Sequence, residues 1–159
     1  MNSIAPVAAT VLACTGLLCS RAILVPARAA LGEPAASVAA DQLRMKGQLR
    51  HATGPGYQVE QITAPGGTLV KEFISPAGIV FAISWRGPTL PNLAQTLGST
   101  YFGMLKTAER SERAGLGHNH VQLRTPQLVV HAGGHMRYFF GMAYVPSLLP
   151  PNVSVADLH

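Results

Sequence analysis

One short run, Ile79 to Trp85, constrains the fold more than any other part of the chain. Its odd positions are large and apolar, and its even positions are Val80, Ala82 and Ser84, which are apolar or small. A strand with this composition is buried on both of its faces. We therefore expect the run to form a central strand of a β-sheet.

The residues before this strand predict a series of hairpins. Two strand-like segments, Tyr57 to Thr63 and Thr68 to Ser75, are joined by Ala64-Pro65-Gly66-Gly67. Pro fixes φ at the second position of a turn, and Gly accepts a positive φ at the third. A second turn, Ser75 to Gly78, leads into the central strand.

The last third of the chain also favours strands. The segments are His120 to Arg124, Gln127 to His131 and His135 to Val145, and Gly133-Gly134 is the predicted tight turn between the last two. Residues 146–159 form a C-terminal tail interrupted by prolines.

Two segments predict helices. Ser37 is a candidate cap for a helix that starts at Val38 and ends either at Gly47 or in the stretch 53–56. Apolar residues at helical spacing from Leu93 to Ala108 predict a second helix, with a break near Gly98. The expected fold class is α+β: a mainly antiparallel sheet of about six strands with two helices, after an N-terminal signal peptide.

The N-terminal segment predicts export. The apolar run Ile4 to Leu18 is shorter than the roughly 20 residues of a membrane-spanning helix, which is typical of a signal peptide. Ala27-Arg28-Ala29 has the small-x-small pattern of a cleavage site, so residues 1–29 are the predicted signal peptide and residues 30–159 a single domain. An uncleaved anchor, or a lipoprotein modified at Cys14, are the alternatives.

Cleavage would remove Cys14 and Cys19, the two cysteines of the chain. The mature protein would then have no disulfide, no thiolate nucleophile and no cysteine-based zinc site. It would carry ten basic and seven acidic residues, a mild excess that is scattered along the sequence and does not favour nucleic-acid binding. No membrane span is expected after cleavage.

Histidines are the most distinctive reactive side chains. His118, His120, His131 and His135 fall within 18 residues, and His118 and His120 would share one face of a strand. A metal site formed by His118, His120 and His131 is therefore one alternative, and ordinary histidines in loops and at strand ends are the other.

Catalytic patterns are not recognised. The chain has no Gly-x-Ser-x-Gly motif, and its two aspartates, Asp41 and Asp157, lie near the ends of the domain. Glu109 and Glu112 each precede an arginine, which is typical of a solvated helix face. We expect no enzyme, no catalytic residues and no cofactor; a hydrolase with an unrecognised site is an alternative.

Several motifs resemble the domain-of-unknown-function family 2844. They are the sequences Ala36 to Asp41, Glu72 to Pro88, Gly133 to Arg137 and Tyr144 to Pro150. The resemblance implies an exported protein of a Gram-negative bacterium without an assigned activity. His135 and Arg137 belong to these motifs, as do Trp85 and Arg86.

Trp85, Arg86, His135 and Arg137 are therefore the candidate binding residues. A Trp and an Arg at a strand end can form a stacked recognition surface, although Trp85 also continues the apolar face of its strand and is then a core residue. The function favoured by the sequence is a non-catalytic accessory or binding protein of the cell envelope, periplasmic or secreted, with another envelope protein as its partner. The oligomeric state stays open.

Overall fold

The computed structural model describes residues 31–112 and 120–158. The predicted signal peptide and His118 lie outside the described residues. The strands are β1 (Gln48–Gly54), β2 (Tyr57–Thr63), β3 (Leu69–Ile74), β4 (Val80–Gly87), β5 (His120–Arg124), β6 (Val129–His135) and β7 (Tyr138–Tyr144). The helices are α1 (Val38–Met45), α2 (Leu93–Thr96) and α3 (Gly98–Glu112), with short 3-10 turns at Ala35–Ser37, Pro146–Leu148 and Val155–Asp157.

All seven strands belong to one antiparallel sheet in the order β1-β2-β3-β4-β7-β6-β5. The predicted α+β class is confirmed, with one strand more than expected. β4 is the middle strand, as its apolar run predicts. No helix in the described ranges is both long and apolar enough to cross a membrane.

The helices cover one face of the sheet, here called the helix face. Val38 of α1 and Leu105 of α3 are buried in a cluster with alternate residues of the strands, among them Val70, Ile83 and Val130. Each strand places alternate side chains on the same face. This cluster is the larger part of the hydrophobic core.

The opposite face, here called the tail face, is covered at one end by the C-terminal segment. Val153 and Leu158 of that segment are buried against Val59, Phe73 and Ala82 of the sheet. The segment expected to be a tail is thus part of the core on this side.

Strand β1 was missed because its sequence does not alternate between apolar and polar residues. Its side chains are half-buried or exposed throughout. Pairing with β2 forms the strand, and an Nδ1 to Oε1 contact of 2.7 Å joins His51 to Glu60 across the pair. The helix before it ends at the first of the two expected positions, where Lys46 adopts a left-handed conformation before Gly47.

The prediction that the Ser37 side chain caps α1 is wrong. Ser37 has αR dihedral angles because it belongs to the preceding 3-10 turn, so its side chain makes no capping hydrogen bond. The predicted break in the second helical segment is confirmed: α2 ends at Thr96, and α3 begins at Gly98, which has a φ of +76°.

The predicted turn at Gly133-Gly134 is also wrong, because both glycines lie within β6. They pair with Phe140 and Phe139, and the turn is formed by Met136 and Arg137 after the last pair of the hairpin. A Cβ atom on Gly133 would lie 2.8 Å from Phe140 Cζ. Gly133 therefore makes room for the aromatic ring of Phe140. The strained position of the turn is taken by Arg137, whose φ is +63°.

Candidate functional site

An open cavity of about 340 Å³ lies on the tail face, beside the part of the sheet that the C-terminal segment covers. The central strand β4 and its neighbours β3 and β7 form most of it, and β6 and the C-terminal segment complete its wall. The residues that line it are Leu69, Lys71, Ser84, Trp85, Arg86, His131, Tyr138, Phe140, Gly141, Met142, Val155 and Leu158.

The strand register explains why these side chains meet. Lys71 lies opposite Ser84, which in turn lies opposite Met142, and Met142 is opposite His131. A second row joins Leu69, Arg86 and Phe140. Residues in such rows share one face of an antiparallel sheet, so the cavity is a direct product of the register.

Aromatic rings continue this surface to the tip of the β6–β7 hairpin. The His135 ring stacks on Tyr138 at a centroid distance of 5.6 Å, Tyr138 contacts Phe140 at 5.9 Å, and Phe140 contacts His120 at 6.4 Å. We call these four residues the aromatic ladder. Tyr138 and Phe140 are 46% and 41% exposed, which is unusual for large rings in such contact.

A shallower recess of about 530 Å³ adjoins the cavity at the same end of the sheet. Arg86 and Tyr138 line both, and Arg137 lines the recess. Three of the four candidate residues therefore lie at one end of the tail face: Arg86, Arg137 and, through its contact with Tyr138, His135.

Trp85, the fourth candidate, is a core residue. It is 2% exposed and belongs to the cluster on the helix face. Its strand forms part of the cavity floor, but the ring packs against Gly141 on the opposite side of the sheet. Its Nε1 atom has no hydrogen-bond partner among the described residues.

Gly141 is expected to be required for this packing, because a Cβ atom there would overlap the Trp85 ring. We expect Gly141→Ala to lower the free energy of unfolding by about 1–3 kcal/mol, as overpacking does. Urea denaturation measures this change. Gly103→Ala is the matched control, since a Cβ atom on that exposed helical glycine meets no atom within 4 Å; it should be neutral or stabilising, and a cost similar to that of Gly141→Ala would contradict the argument.

The charged and titratable nitrogen-containing side chains that line the cavity are all basic. Its lining residues, all within the described part of the chain, include Lys71, Arg86 and His131 but no Asp or Glu. Partial burial and the positive charge of Arg86 together lower the pKa of Lys71 below its ordinary value. Two like charges on adjacent strands are thus held close enough to repel each other.

Sequence reasoning missed Lys71, Tyr138 and Phe140. Their neighbourhood depends on the pairing of β3, β4 and β7, and the misplaced turn at Gly133-Gly134 gave the wrong register for the last pair of strands. Alternation of Tyr138, Phe140 and Met142 along one strand was the signal that could have identified one wall of the cavity.

Two of the three histidines of the alternative metal site, His120 and His131, lie on adjacent strands of the tail face. Because the hairpin turn lies at Met136 and Arg137, His131 and His135 are four residues apart on one strand and share the tail face, as does His120. Within the described residues no group of three or more His, Cys, Asp or Glu side chains could hold a metal ion. The predicted ligand His118 is not among those residues.

A pair of carboxyl groups is buried on the helix face, between α1 and β3. Asp41 and Glu72 are 0% and 1% exposed, and Gln95 Nε2 donates a 2.8 Å hydrogen bond to Asp41 Oδ1. Burial raises the pKa of Glu72 to about 8, and the negative charges of Asp41 and Glu60 add to the rise. Solvent reaches neither carboxyl group in this structure.

Comparison with known proteins gives a family and nothing beyond it. The family model described as "protein of unknown function (DUF2844)" matches residues 27–158. Neither a curated protein nor a solved structure matches the chain. The match spans most of the sequence, including every described strand and helix. The chain is therefore a member of the DUF2844 family of proteins of unknown function.

Proposed function

We propose that this protein is an exported, non-catalytic binding protein of the bacterial cell envelope, and that the uncovered end of its tail face binds another envelope component. The observation that carries the proposal is the cavity beside the exposed aromatic ladder. Exposed aromatic rings beside a cationic side chain are typical of binding surfaces, and a cavity of this size is typical of small-ligand sites.

Export is the part of the proposal that rests on the sequence. The apolar run Ile4 to Leu18 and the Ala27-Arg28-Ala29 pattern support a cleaved signal peptide. The non-catalytic role rests on the missing nucleophile motif in the sequence and on the burial of the Asp41 and Glu72 pair.

Native mass spectrometry of protein recovered from the periplasm of an expressing Gram-negative cell tests both parts. We expect the mass of Ala30 to His159 together with a bound component. Replacing both Tyr138 and Phe140 by Ala should abolish the bound mass, since these rings form the surface.

Leu43→Ala is the matched control. Leu43 is an apolar residue of α1 that is 76% exposed but lies away from the tail face, so the variant should keep the bound mass. An unprocessed chain in the cytoplasmic fraction would contradict export. A mature chain that carries nothing, with or without the two rings, would contradict binding at this surface.

A further inference from the structure

Exposed apolar side chains are concentrated at one end of the sheet, here called the hairpin end, where β4 stops and β6 turns into β7. Within the described residues, five large apolar side chains are exposed: Leu43, Leu90, Met136, Tyr138 and Phe140. All but Leu43 belong to the β6–β7 hairpin or to the loop that follows β4. Single exposed apolar residues are ordinary on a protein surface, whereas a group of them marks an interaction site.

The loop after β4 is held at the hairpin end by hydrogen bonds. Thr68 Oγ1 donates a 2.8 Å hydrogen bond to the carbonyl of Thr89 and accepts one of 3.2 Å from the Thr89 backbone N–H. Pro88, the preceding residue, lines the same recess as Arg137. Leu90 follows directly and is 52% exposed, so this loop and the hairpin turn present apolar surface at the same end of the molecule.

Met136 is the most exposed of these residues, at 92%. The last pair of the hairpin is His135 with Tyr138, so Met136 and Arg137 lie beyond the end of the sheet. Met136 lines neither the cavity nor the recess. A protruding apolar side chain of this kind suits a surface that deforms around it, and the interfacial layer of a lipid bilayer is such a surface.

Arginines accompany the apolar side chains of the hairpin end. Arg86 and Arg137 are exposed and line the recess together with Tyr138. Neither arginine has a salt-bridge partner among the described residues, and no described Asp or Glu lines the recess. Tyrosine rings are enriched where proteins meet the membrane interface, and arginines near a membrane attract anionic headgroups. The charge of this end therefore complements an anionic lipid surface.

We propose that the hairpin end docks the protein on an anionic phospholipid surface, with Met136 inserted among the lipids and Arg86 and Arg137 against headgroup phosphates. This inference rests on the proposed function, because it names a lipid surface as the envelope component that this end of the tail face binds. It requires no membrane-spanning segment, since the protein lies on the bilayer. The component expected in the native mass measurement is then an anionic phospholipid.

Flotation with two kinds of vesicle tests the charge requirement. One contains phosphatidylcholine and phosphatidylglycerol in equimolar amounts, and the other contains phosphatidylcholine alone. The protein is recovered from the periplasm, because the apolar run Ile4 to Leu18 of an unprocessed chain would itself bind lipid. We expect the anionic vesicles to bind the protein about tenfold or more tightly than the neutral ones, because each arginine near an anionic surface contributes roughly fivefold.

Variants with exposed positions then locate the contact. Met136→Ser should weaken binding to the anionic vesicles by about tenfold, and Arg137→Ala should weaken it by about fivefold. Leu43→Ser is the control for the lost apolar side chain, because α1 covers the opposite face of the sheet. Arg124→Ala is the control for the lost charge, at the end of β5 that pairs with Val129, away from the β6–β7 turn. Both controls should bind like the native protein.

The outcomes distinguish this inference from the proposed function. Equal binding to the two vesicles, or native-like binding by Met136→Ser, would overturn docking on a membrane. If the periplasmic protein still carried a component that is lost with the rings of Tyr138 and Phe140, the binding surface would stand without the membrane. A protein that binds neither vesicle and carries no component would overturn both proposals. An effect of Arg124→Ala as large as that of Arg137→Ala would show that net charge alone attracts the protein, and would also overturn the inference.

Discussion

Glu72→Gln is expected to stabilise the protein at pH 8 and to leave its stability nearly unchanged at pH 5. The folded-state pKa of Glu72 is about 8 because the carboxyl is buried beside Asp41, against an ordinary value of 4.5. Between these values the unfolded chain has lost the proton and the folded protein has kept it, so stability falls as pH rises across the window. At about 1.4 kcal/mol per pKa unit, the loss in the native protein is at most about 5 kcal/mol.

Urea denaturation at several pH values between 5 and 8 measures this loss. Gln has nearly the shape of a protonated Glu and does not titrate, so the variant should lose much less stability over the range. Burial also raises the pKa of Asp41, which leaves the variant a smaller slope of the same sign. Glu33→Gln, at an exposed position, should keep the native slope. Parallel pH profiles for the native protein and Glu72→Gln would show that the carboxyl is ionised in the fold.

The central part of the fold follows from local sequence because its signals act over a few residues. The run from Ile79 to Trp85 predicts the middle strand, and the Pro-Gly turns before it predict the hairpins that pair beside it. Gly98 predicts the helix break for the same reason: a single residue without a Cβ atom decides the backbone there.

The errors arise where contacts between distant residues decide the structure. Gly133 and Gly134 have the composition of a turn, but the rings of Phe140 and Phe139 across the hairpin require their small size. Strand β1 has no apolar pattern and depends on its pairing with β2. Composition within a short window cannot distinguish these cases.

The candidate site also combines residues that local sequence motifs indicate with residues that only strand pairing brings together. Arg86 and Arg137 were selected from sequence motifs and do line one recess. Lys71 was not selected because only the pairing of β3 with β4 brings it beside Arg86. Trp85 was ambiguous because alternation shows which residues share its side of the strand but not which side the helices cover. Sequence patterns thus selected residues that lie at one end of the sheet, whereas the strand register determines which side chains line the cavity.

Leu158→Ala is expected to lower the free energy of unfolding by about 2–5 kcal/mol, the usual cost of truncating a fully buried Leu. Leu158 is 0% exposed and packs in the cluster formed by Phe73, Phe81 and Val153. It also lines the cavity. The variant should therefore lose stability and weaken binding at the cavity.

Asp157→Ala is the matched control. It distinguishes the loss of Leu158 packing from an effect that any substitution in this segment would have. Asp157 is the preceding residue and is exposed, so its replacement should change the free energy of unfolding by less than about 0.5 kcal/mol. If Leu158→Ala were equally neutral, the C-terminal segment would not be part of the core, and one wall of the cavity would be lost with it. A large cost confined to Leu158, accompanied by weaker binding at the cavity, would instead show that the segment that stabilises the tail face also shapes its binding site.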